Sequence, residues 1–416
     1  MLRTVPKIDT SVGIRIYATH YPGTGGIIKE RAGDFKVTEV IHKSILDSIV
    51  PFSSEKNEFP LFCLTKSGLD SSHAILEIRK ELGINLRLLG IKDSKAITRQ
   101  YCTCDQKIKF ENATTTHTSL SLLGFTSQSL RKSHLIGNKF KILVRDMKTR
   151  DLLNFLGEVT RIPNFYGLQR FGSARGVTHL VGREILKRNF RGAVDMLLSY
   201  TTEYDTKISR ELRESCKDPT QFASVLKKIP QGMDIERLIL ISLLNGKSYI
   251  SAIRSIPVNI RRLFVHAYQA FLFNECISSL IEEGEDILQC IPGDLCFHLE
   301  EQCALGKLRK FSHEVNHNNI VPAMQLAGYS LRNRGGRFEK ELLKIMMDEG
   351  ITPKDFYINE LQELSVEGGF RQLPLMVRGF RFNQNNEFRF ILPVGAYATT
   401  LLRELMKPTN PIKAGF

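Results

Sequence analysis

The chain has 416 residues, and its 58 Lys and Arg against 44 Asp and Glu give a formal net charge of +14. Hydrophobic residues make up 42% of it, which is enough for packed cores and excludes wholesale disorder. The densest apolar stretch, 238–244, is far shorter than the ~20 residues that span a bilayer, so no membrane-spanning helix and no membrane partner are expected. The excess of base favours a polyanionic partner such as a nucleic acid, although charge alone leaves this open.

The N-terminus and the cysteines indicate the compartment. The first ten residues have no apolar run behind their basic residues and so do not resemble a secretory signal. Eight cysteines are too few for a disulfide scaffold, and the spacing of Cys290, Cys296 and Cys303 matches no zinc pattern. We therefore expect a reduced, cytoplasmic protein without a metal site.

The first third of the chain mixes short strands and helices. The pattern over 26–40 predicts a strand, a turn and a second strand. Asp70 predicts the N-cap of an amphipathic helix that Gly83 ends. Further strands are predicted at 61–65, 86–90, 97–104 and 140–144, and a helix at 147–160. The regular alternation of a doubly wound sheet is missing, which favours an α+β protein.

The segment 161–191 is strongly basic. It holds seven Lys and Arg, including Arg170 and Arg175, against the single acid Glu184. Aromatic residues such as Tyr166 are interleaved with them. Unpaired RNA bases stack on aromatic rings while basic side chains hold phosphates, so this mixture suits an RNA surface. The alternative is a solvated basic helix beside an ordinary aromatic core, and the residues alone leave both open.

From about residue 189 to 365 the chain becomes more helical, and the last fifty residues return to a β pattern. Helices are predicted at 235–244, 260–279 and 339–348. Strands at 375–382 and 387–392 flank a turn at 383–386, and a helix at 401–407 ends before Pro408. The middle block is therefore interpreted as an insertion between two β-containing ends.

Two motifs have weak support. His313–His317 matches the H-E-x-x-H zinc pattern, but its Asn-rich surroundings suit a buried helix poorly and no third ligand follows at the expected spacing. The glycine cluster at Gly23–Gly26 lacks the Lys-Ser/Thr of a phosphate-binding loop. We interpret the cluster as a turn and expect no metal.

Asp93 is the strongest candidate for a catalytic residue. It lies between Lys92 and Lys95, just past an apolar strand, so neighbouring positive charge is available to keep it ionised and nucleophilic. A turn aspartate that caps the next element would have the same surroundings. The local pattern does not choose between these two readings.

Five collinear segments resemble the TruD family of tRNA pseudouridine synthases, in particular its archaeal-type branch. The segment around Asp93 is similar to the family's G-x-K-D-x-x-A-x-T-x-Q element. The other four agree with family motifs in the right order and extend over nearly the whole chain. The segments are Ile28–Lys29 with Asp34–Glu39, Gly90–Gln100, Pro163–Gly172, Arg261–Asn274 and Leu392–Glu404.

The resemblance implies a particular fold. Family members have an α+β pseudouridine synthase catalytic fold, permuted relative to other synthases, with a mainly helical TRUD domain inserted in it. On this chain the catalytic domain would comprise 1–189 and 366–416, and the inserted domain 190–365.

The resemblance also implies site residues. Asp93 would be the catalytic aspartate, and Phe35, Tyr166 and Tyr397 would line the uridine pocket. Asn164 would bond a uracil edge or hold its loop. Lys29 would pair with Asp93 or a phosphate, with Arg403 as a second candidate, and Arg170 and Arg175 would contact RNA. Family members frequently have Phe at positions 166 and 397.

The expected activity is the isomerisation of uridine to pseudouridine in tRNA, at uridine 13, without cofactor or metal. The partner would be tRNA, and we expect a monomer with no obligatory protein partner. The alternative is a non-catalytic RNA-binding protein on the same fold. An RNA methyltransferase is disfavoured because no glycine-rich strand-turn-helix element suits a nucleotide-like cofactor.

Overall fold

The computed structural model describes residues 4–54, 56–92, 94–108, 110–148, 151–230, 232–300, 305–312 and 319–416. Two features singled out in the sequence, Asp93 and the segment 313–317, lie outside the described residues. No helix within the described ranges is long and apolar enough to cross a membrane.

The described parts of the chain contain strands and helices in mixed order. The strands are β1 (Phe35–Ile41), β2 (Phe59–Lys66), β3 (Arg87–Leu88), β4 (Ile97–Thr103), β5 (Asn112–Thr114), β6 (Thr118–Thr126), β7 (Leu135–Leu143), β8 (Leu295–Leu299), β9 (Leu305–Lys310), β10 (Ile320–Leu326), β11 (Gly369–Gln372), β12 (Arg378–Phe382) and β13 (Glu387–Pro393). The helices are α1 (Lys7–Thr10), α2 (Lys43–Asp47), α3 (Ser71–Leu82), α4 (Leu153–Leu156), α5 (Thr178–Leu186), α6 (Phe190–Ser199), α7 (Lys207–Ser215), α8 (Phe222–Lys228), α9 (Asp234–Leu244), α10 (Tyr249–Arg254), α11 (Val258–Glu282), α12 (Arg337–Asp348) and α13 (Ala398–Met406).

Both ends of the chain contribute to one large sheet, which over the described residues has nine strands. Its order is β12-β13-β7-β1-β4-β2-β6-β5, with β3 paired to β4. β1 and β4 run parallel, whereas β7 pairs antiparallel with both β1 and β13. One face of β1, β7 and β13 packs under α13, where Phe140, Phe390 and Leu401 share a buried cluster. The sheet therefore joins segments that lie more than two hundred residues apart.

The intervening chain forms a helical layer and a second sheet. The second sheet has the order β11-β10-β8-β9 in the part of the chain that is described. The long helix α11 packs against α5 and α12. A Cβ on Gly182 of α5 would lie 2.1 Å from the carbonyl oxygen of Phe264, so only glycine permits this close approach of α5 and α11. The core of the helical layer also includes Tyr166 and its neighbours.

The α+β fold class is confirmed, and several predicted elements are found. Asp70 caps α3 by accepting from the backbone N–H groups of Ser72 and His73, and Gly83 ends the helix with a φ of 71°. The predicted hairpin of β12 and β13 is present. The division into 1–189 with 366–416 and 190–365 stays a prediction. β11 lies inside 366–416 but pairs with β10.

Two local predictions are wrong. Only Leu153–Leu156 is α-helical within the described part of 147–160, and a short 3₁₀ turn follows it. The segment before β1 forms one isolated bridge, between Ile27 and Arg145, instead of a strand. Gly25, Gly26 and Lys29 all have positive φ, which breaks the extended conformation that a strand needs.

Candidate active site

A cleft opens at the side of β1 that faces α13. It has a volume of about 200 Å³, and its lining includes Lys29, Phe35, Phe140, Gln169 and Tyr397. A second hollow of about 410 Å³ continues from it and shares Lys29 and Gln169. Lys92 and Ser94, the described residues on either side of position 93, both line the second hollow. The two hollows thus form one cleft, which is lined by Ile91, Lys92, Ser94 and Lys95.

The first hollow is built for a flat apolar group. The rings of Phe35 and Phe140 meet edge to face at 6.1 Å, and Phe140 stacks on Phe390 at 5.3 Å. The ammonium of Lys29 lies 4.8 Å from the centroid of the Phe35 ring, a cation–π geometry. Lys29 itself has a φ of 57°, a conformation that is unusual for a residue with a side chain. The hollow therefore combines aromatic walls with a cation held in a strained turn.

A buried ion pair anchors the segment that precedes position 93. The carboxylate of Glu39 on β1 is fully buried and accepts from the ammonium of Lys92 at 2.8 Å. Its second oxygen accepts from the backbone N–H of Tyr101 on β4 at 2.9 Å. The pair fixes Lys92 against the middle of the sheet.

A chain of hydrogen bonds adds to this anchor. The hydroxyl of Ser71 donates to the Oε1 atom of Gln100 at 2.9 Å and accepts from the backbone N–H of Lys92 at 2.9 Å. The amide of Gln100 donates to the carbonyl of Gly90 at 2.7 Å. The ammonium of Lys66, which is 1% exposed, donates to the carbonyl of Lys92 at 3.2 Å. Residues 90–92 are thus held through backbone groups by α3, β2 and β4.

The loop 163–172 brings Tyr166 beside Tyr397. Their ring centroids are 6.1 Å apart, and Tyr166 also packs edge-on against Phe273 at 5.4 Å. Tyr397 lines the first hollow, whereas Tyr166 is buried behind it. A hydrogen bond between the hydroxyl of Thr399 and the side-chain oxygen of Gln169 at 2.9 Å joins the loop to α13.

Asn164 holds this loop. Its side chain is fully buried and donates to the carbonyl of Gln372 at 3.2 Å. Its side-chain oxygen accepts from the guanidinium of Arg371 at 2.8 Å. Of the two roles expected for Asn164, the geometry favours holding the loop over contact with a base.

Arg371 is a buried cation beside the two tyrosines. It is 6% exposed, and no carboxylate in the described ranges forms an ion pair with it. Burial lowers the pKa of its guanidinium, which instead donates to the carbonyls of Asn164 and Gly395. This is a functional candidate that sequence analysis missed, because only the fold brings it to the loop.

Arg403 does not lie in the cleft, contrary to expectation. Its guanidinium is 5% exposed and bonds to Asp9 at 2.6 Å and Glu404 at 2.9 Å. Burial acts to lower the pKa of Arg403, but the two carboxylates outweigh it and raise the pKa above its usual value. Arg403 therefore ties α1 to α13.

Arg175, predicted to contact RNA, lies against the end of α6. Its guanidinium donates to the carbonyls of Met196, Leu197 and Tyr200 at the end of α6, and it pairs with Glu236 at 3.2 Å. Burial lowers its pKa to about 10, with Arg213 contributing. Through these contacts Arg175 caps the C-terminal end of α6.

Arg170 belongs to the loop 163–172 and is half-buried. Its guanidinium carbon lies 5.5 Å from the centroid of the Tyr166 ring. Its Nε atom is buried and has no hydrogen-bond partner among the described residues.

The described residues contain no group of three or more His, Cys, Asp or Glu that could hold a metal ion.

Fold and cleft together define an α+β protein with an aromatic and cationic cleft on a mixed sheet assembled from both chain ends. The family model for tRNA pseudouridine synthase D (TruD) matches residues 11–405. The chain belongs to the tRNA pseudouridine synthase D family, which is a family of isomerases.

Individual relatives agree over nearly their whole lengths. A protein of Thermococcus onnurineus, named probable tRNA pseudouridine synthase D, is 32% identical over 94% of this chain and 97% of its own. One of Pyrobaculum neutrophilum with the same name is 29% identical over 99% of both. A crystal structure of a Methanosarcina mazei protein, described under the same family name, has a TM-score of 0.75 at 27% identity. It covers 98% of this chain and 99% of its own.

Proposed function

We propose that the protein isomerises uridine to pseudouridine in tRNA, with Asp93 as the catalytic aspartate and without a cofactor. The observation that carries the proposal is the cleft: Lys92 and Ser94 flank position 93 along it, and it opens into the aromatic hollow. The family membership supports the substrate class. The target uridine proposed from the resemblance is uridine 13.

The reaction exchanges one glycosidic bond for another. The bond between N1 of uracil and C1′ breaks, the base rotates, and a new bond forms between C5 and C1′. C5 then loses its proton and N1 gains one, so the atoms balance without a co-reactant. Asp93 can attack C1′, add to C6 of the base or abstract a proton from the sugar, and all three routes need it ionised. We propose that Lys29, whose side chain lines the cleft, supplies the positive charge that favours the ionised form.

The first hollow suits a uracil base that has been flipped out of the RNA stack. A uridine inside folded RNA has to be flipped out before its glycosidic bond is accessible, and aromatic walls then replace the lost stacking. Phe35, Phe140 and Tyr397 supply such walls. Arg170, at the edge of Tyr166, is proposed to hold a phosphate of the flipped nucleotide.

The test uses tRNA transcripts labelled with tritium at C5 of uracil. Wild type without added cofactor should release tritium, and carbodiimide-dependent reverse-transcriptase stops should map the product to position 13. Asp93→Asn should lower the rate by about 10³-fold or more. Asp70→Asn is the matched control, because Asp70 lines the same cleft and asparagine keeps the α3 cap.

The outcomes separate the alternatives. If wild type binds tRNA but releases no tritium, the non-catalytic RNA-binding function replaces the synthase. Asp70→Asn should keep the wild-type rate. If Asp93→Asn keeps it too, Asp93 is not the catalytic aspartate. A map that places the product elsewhere refutes uridine 13 alone.

A further inference from the structure

The face of the large sheet that points away from the cleft carries an unusual charge pattern. Side chains alternate along each strand, so β1 buries Phe35, Val37 and Glu39 on the cleft side and exposes Lys36 on the other. The same alternation on the neighbouring strands turns more basic side chains outward. We call the set the cationic sheet face: Lys36, Arg99, Lys139, Lys141, Arg378, Arg381 and Arg389.

Register aligns these residues across the sheet. Lys36 stands opposite Lys141, Lys141 opposite Arg389, and Arg389 opposite Arg381. The row crosses four adjacent strands, or about 14 Å at the usual strand spacing. Arg99 and Lys139 flank Thr38 in a second row.

Like charges in directly opposed positions destabilise a sheet. Glu387 is the single acid on this face within the described strands, and it relieves only Lys141 and Arg389, at 2.8 and 2.7 Å. The other five basic residues have no ion pair with any described residue. By contrast, arginines of the helical layer such as Arg188, Arg213 and Arg337 are paired with acids. The positive charge that no described acid neutralises favours the binding of an anion at this face.

We propose that the cationic sheet face is a second RNA-binding surface, which holds a segment of the RNA substrate by its phosphates without reading bases. The proposal rests on the proposed function for the identity of the polyanion. A row of about 14 Å is long enough to contact several successive phosphates of one strand. Aromatic side chains for base stacking are absent from the exposed positions of these five strands, as far as they are described.

An anionic membrane is the less suitable partner. Membrane-binding surfaces combine basic residues with apolar side chains that insert into the bilayer. The outward apolar residues Val40, Ile97 and Ile391 are only half-exposed. Exposed large apolar side chains are not found on β1, β4, β7, β12 or β13 in the described chain.

The experiment measures the salt dependence of binding to an unmodified tRNA transcript. The test variant is Lys36→Gln/Lys139→Gln/Arg381→Gln, which removes three unpaired charges. The matched control is Lys207→Gln/Lys227→Gln/Lys228→Gln, which removes three exposed lysines from the helical layer. For the test variant, the slope of log K against log salt should become shallower by about 2, and tRNA affinity should fall by about 10-fold or more. Its kcat at saturating tRNA should match wild type, and the control should keep the wild-type slope.

Identical slopes for the two variants would refute the proposal. If the test variant loses binding to phosphatidylserine vesicles while its tRNA slope is unchanged, the face binds a membrane instead. Arg381→Gln alone, on the edge strand, serves as a second variant if the triple change unfolds, with an expected slope change of about 0.7. The two proposals can fail separately. If wild type makes no pseudouridine but the test variant still has a shallower salt slope than the control, the proposed function is refuted and the RNA-binding role of this face stands.

Discussion

The guanidinium carbon of Arg371 lies 3.9 Å from the centroid of the Tyr166 ring, stacked over its face. The same guanidinium donates to the carbonyl of Asn164 at 3.1 Å and to that of Gly395 at 3.0 Å. It therefore connects the loop that carries Tyr166 with the turn that precedes Tyr397. One buried cation sets the relative position of two rings beside the cleft.

Arg371→Leu should lower the free energy of unfolding by about 2–4 kcal/mol, because the buried carbonyl and side-chain oxygens of Asn164 lose their donor and Tyr166 loses its stacking partner. It should also lower kcat, since Tyr397 is no longer held. Urea unfolding and steady-state kinetics measure the two effects. The control is Arg378→Leu, at an exposed arginine of β12, the next strand along the chain; it should change stability by less than about 0.5 kcal/mol. Equal stabilities would show that Arg371 does not hold the loops.

Ser71→Ala should slow the reaction without weakening tRNA binding. The Ser71 hydroxyl joins the backbone of Lys92 to Gln100, so its loss loosens the segment next to position 93. If Asp93 is the catalytic group, a misplacement of this kind costs about 10- to 100-fold in kcat with little change in KM. Ser72→Ala is the control, because Ser72 is the exposed neighbour in the same first turn of α3. Similar kcat values for the two variants would exclude a positioning role.

Arg403→Met should destabilise the protein by about 3–5 kcal/mol, because the carboxylates of Asp9 and Glu404 stay buried without their cation. Adding Asp9→Asn should recover part of the loss. Thermal unfolding of the single and double variants measures both changes. The salt dependence of tRNA binding by Arg403→Met should keep the wild-type slope. A shallower slope would show that Arg403 contacts RNA.

His179 should make stability depend on pH. It lies between Phe171 and Phe271 and is 3% exposed, and burial lowers its pKa to about 4. The unfolded histidine titrates near 6.5, so between pH 6.5 and 4 the unfolded state binds a proton that the folded state does not. The contribution of His179 is therefore complete above pH 6.5 and is lost as the pH falls toward 4.

The size of this effect is about 1.4 kcal/mol per pH unit for one proton. His179→Phe should remove that slope from the pH dependence of the unfolding free energy, as measured by urea unfolding from pH 4 to 7. A variant with the wild-type slope would show that another group takes up the proton.

Local signals in the sequence predicted the elements that depend on few residues. Asp70 and Gly83 set the ends of α3, because capping acts within one turn. Lys29, Phe35 and Tyr397 were predicted from family motifs, and all three line the cleft. The helix predicted at 147–160 is mostly absent from the described residues. Its apolar residues pack into the core of the sheet from a short helix and turns instead.

The sequence by itself determined the family, the α+β class and the positive charge. Only the tertiary structure decided what each basic residue does. From the sequence, Arg170, Arg175 and Arg403 were all expected to contact RNA. In the structure, Arg175 caps α6 and Arg403 pairs with Asp9, a residue 394 positions away. Lys36 became part of a cationic row because strand register set it opposite Lys141. Periodicity and caps depend on neighbours in the chain, whereas ion pairing and burial depend on partners that only folding brings close.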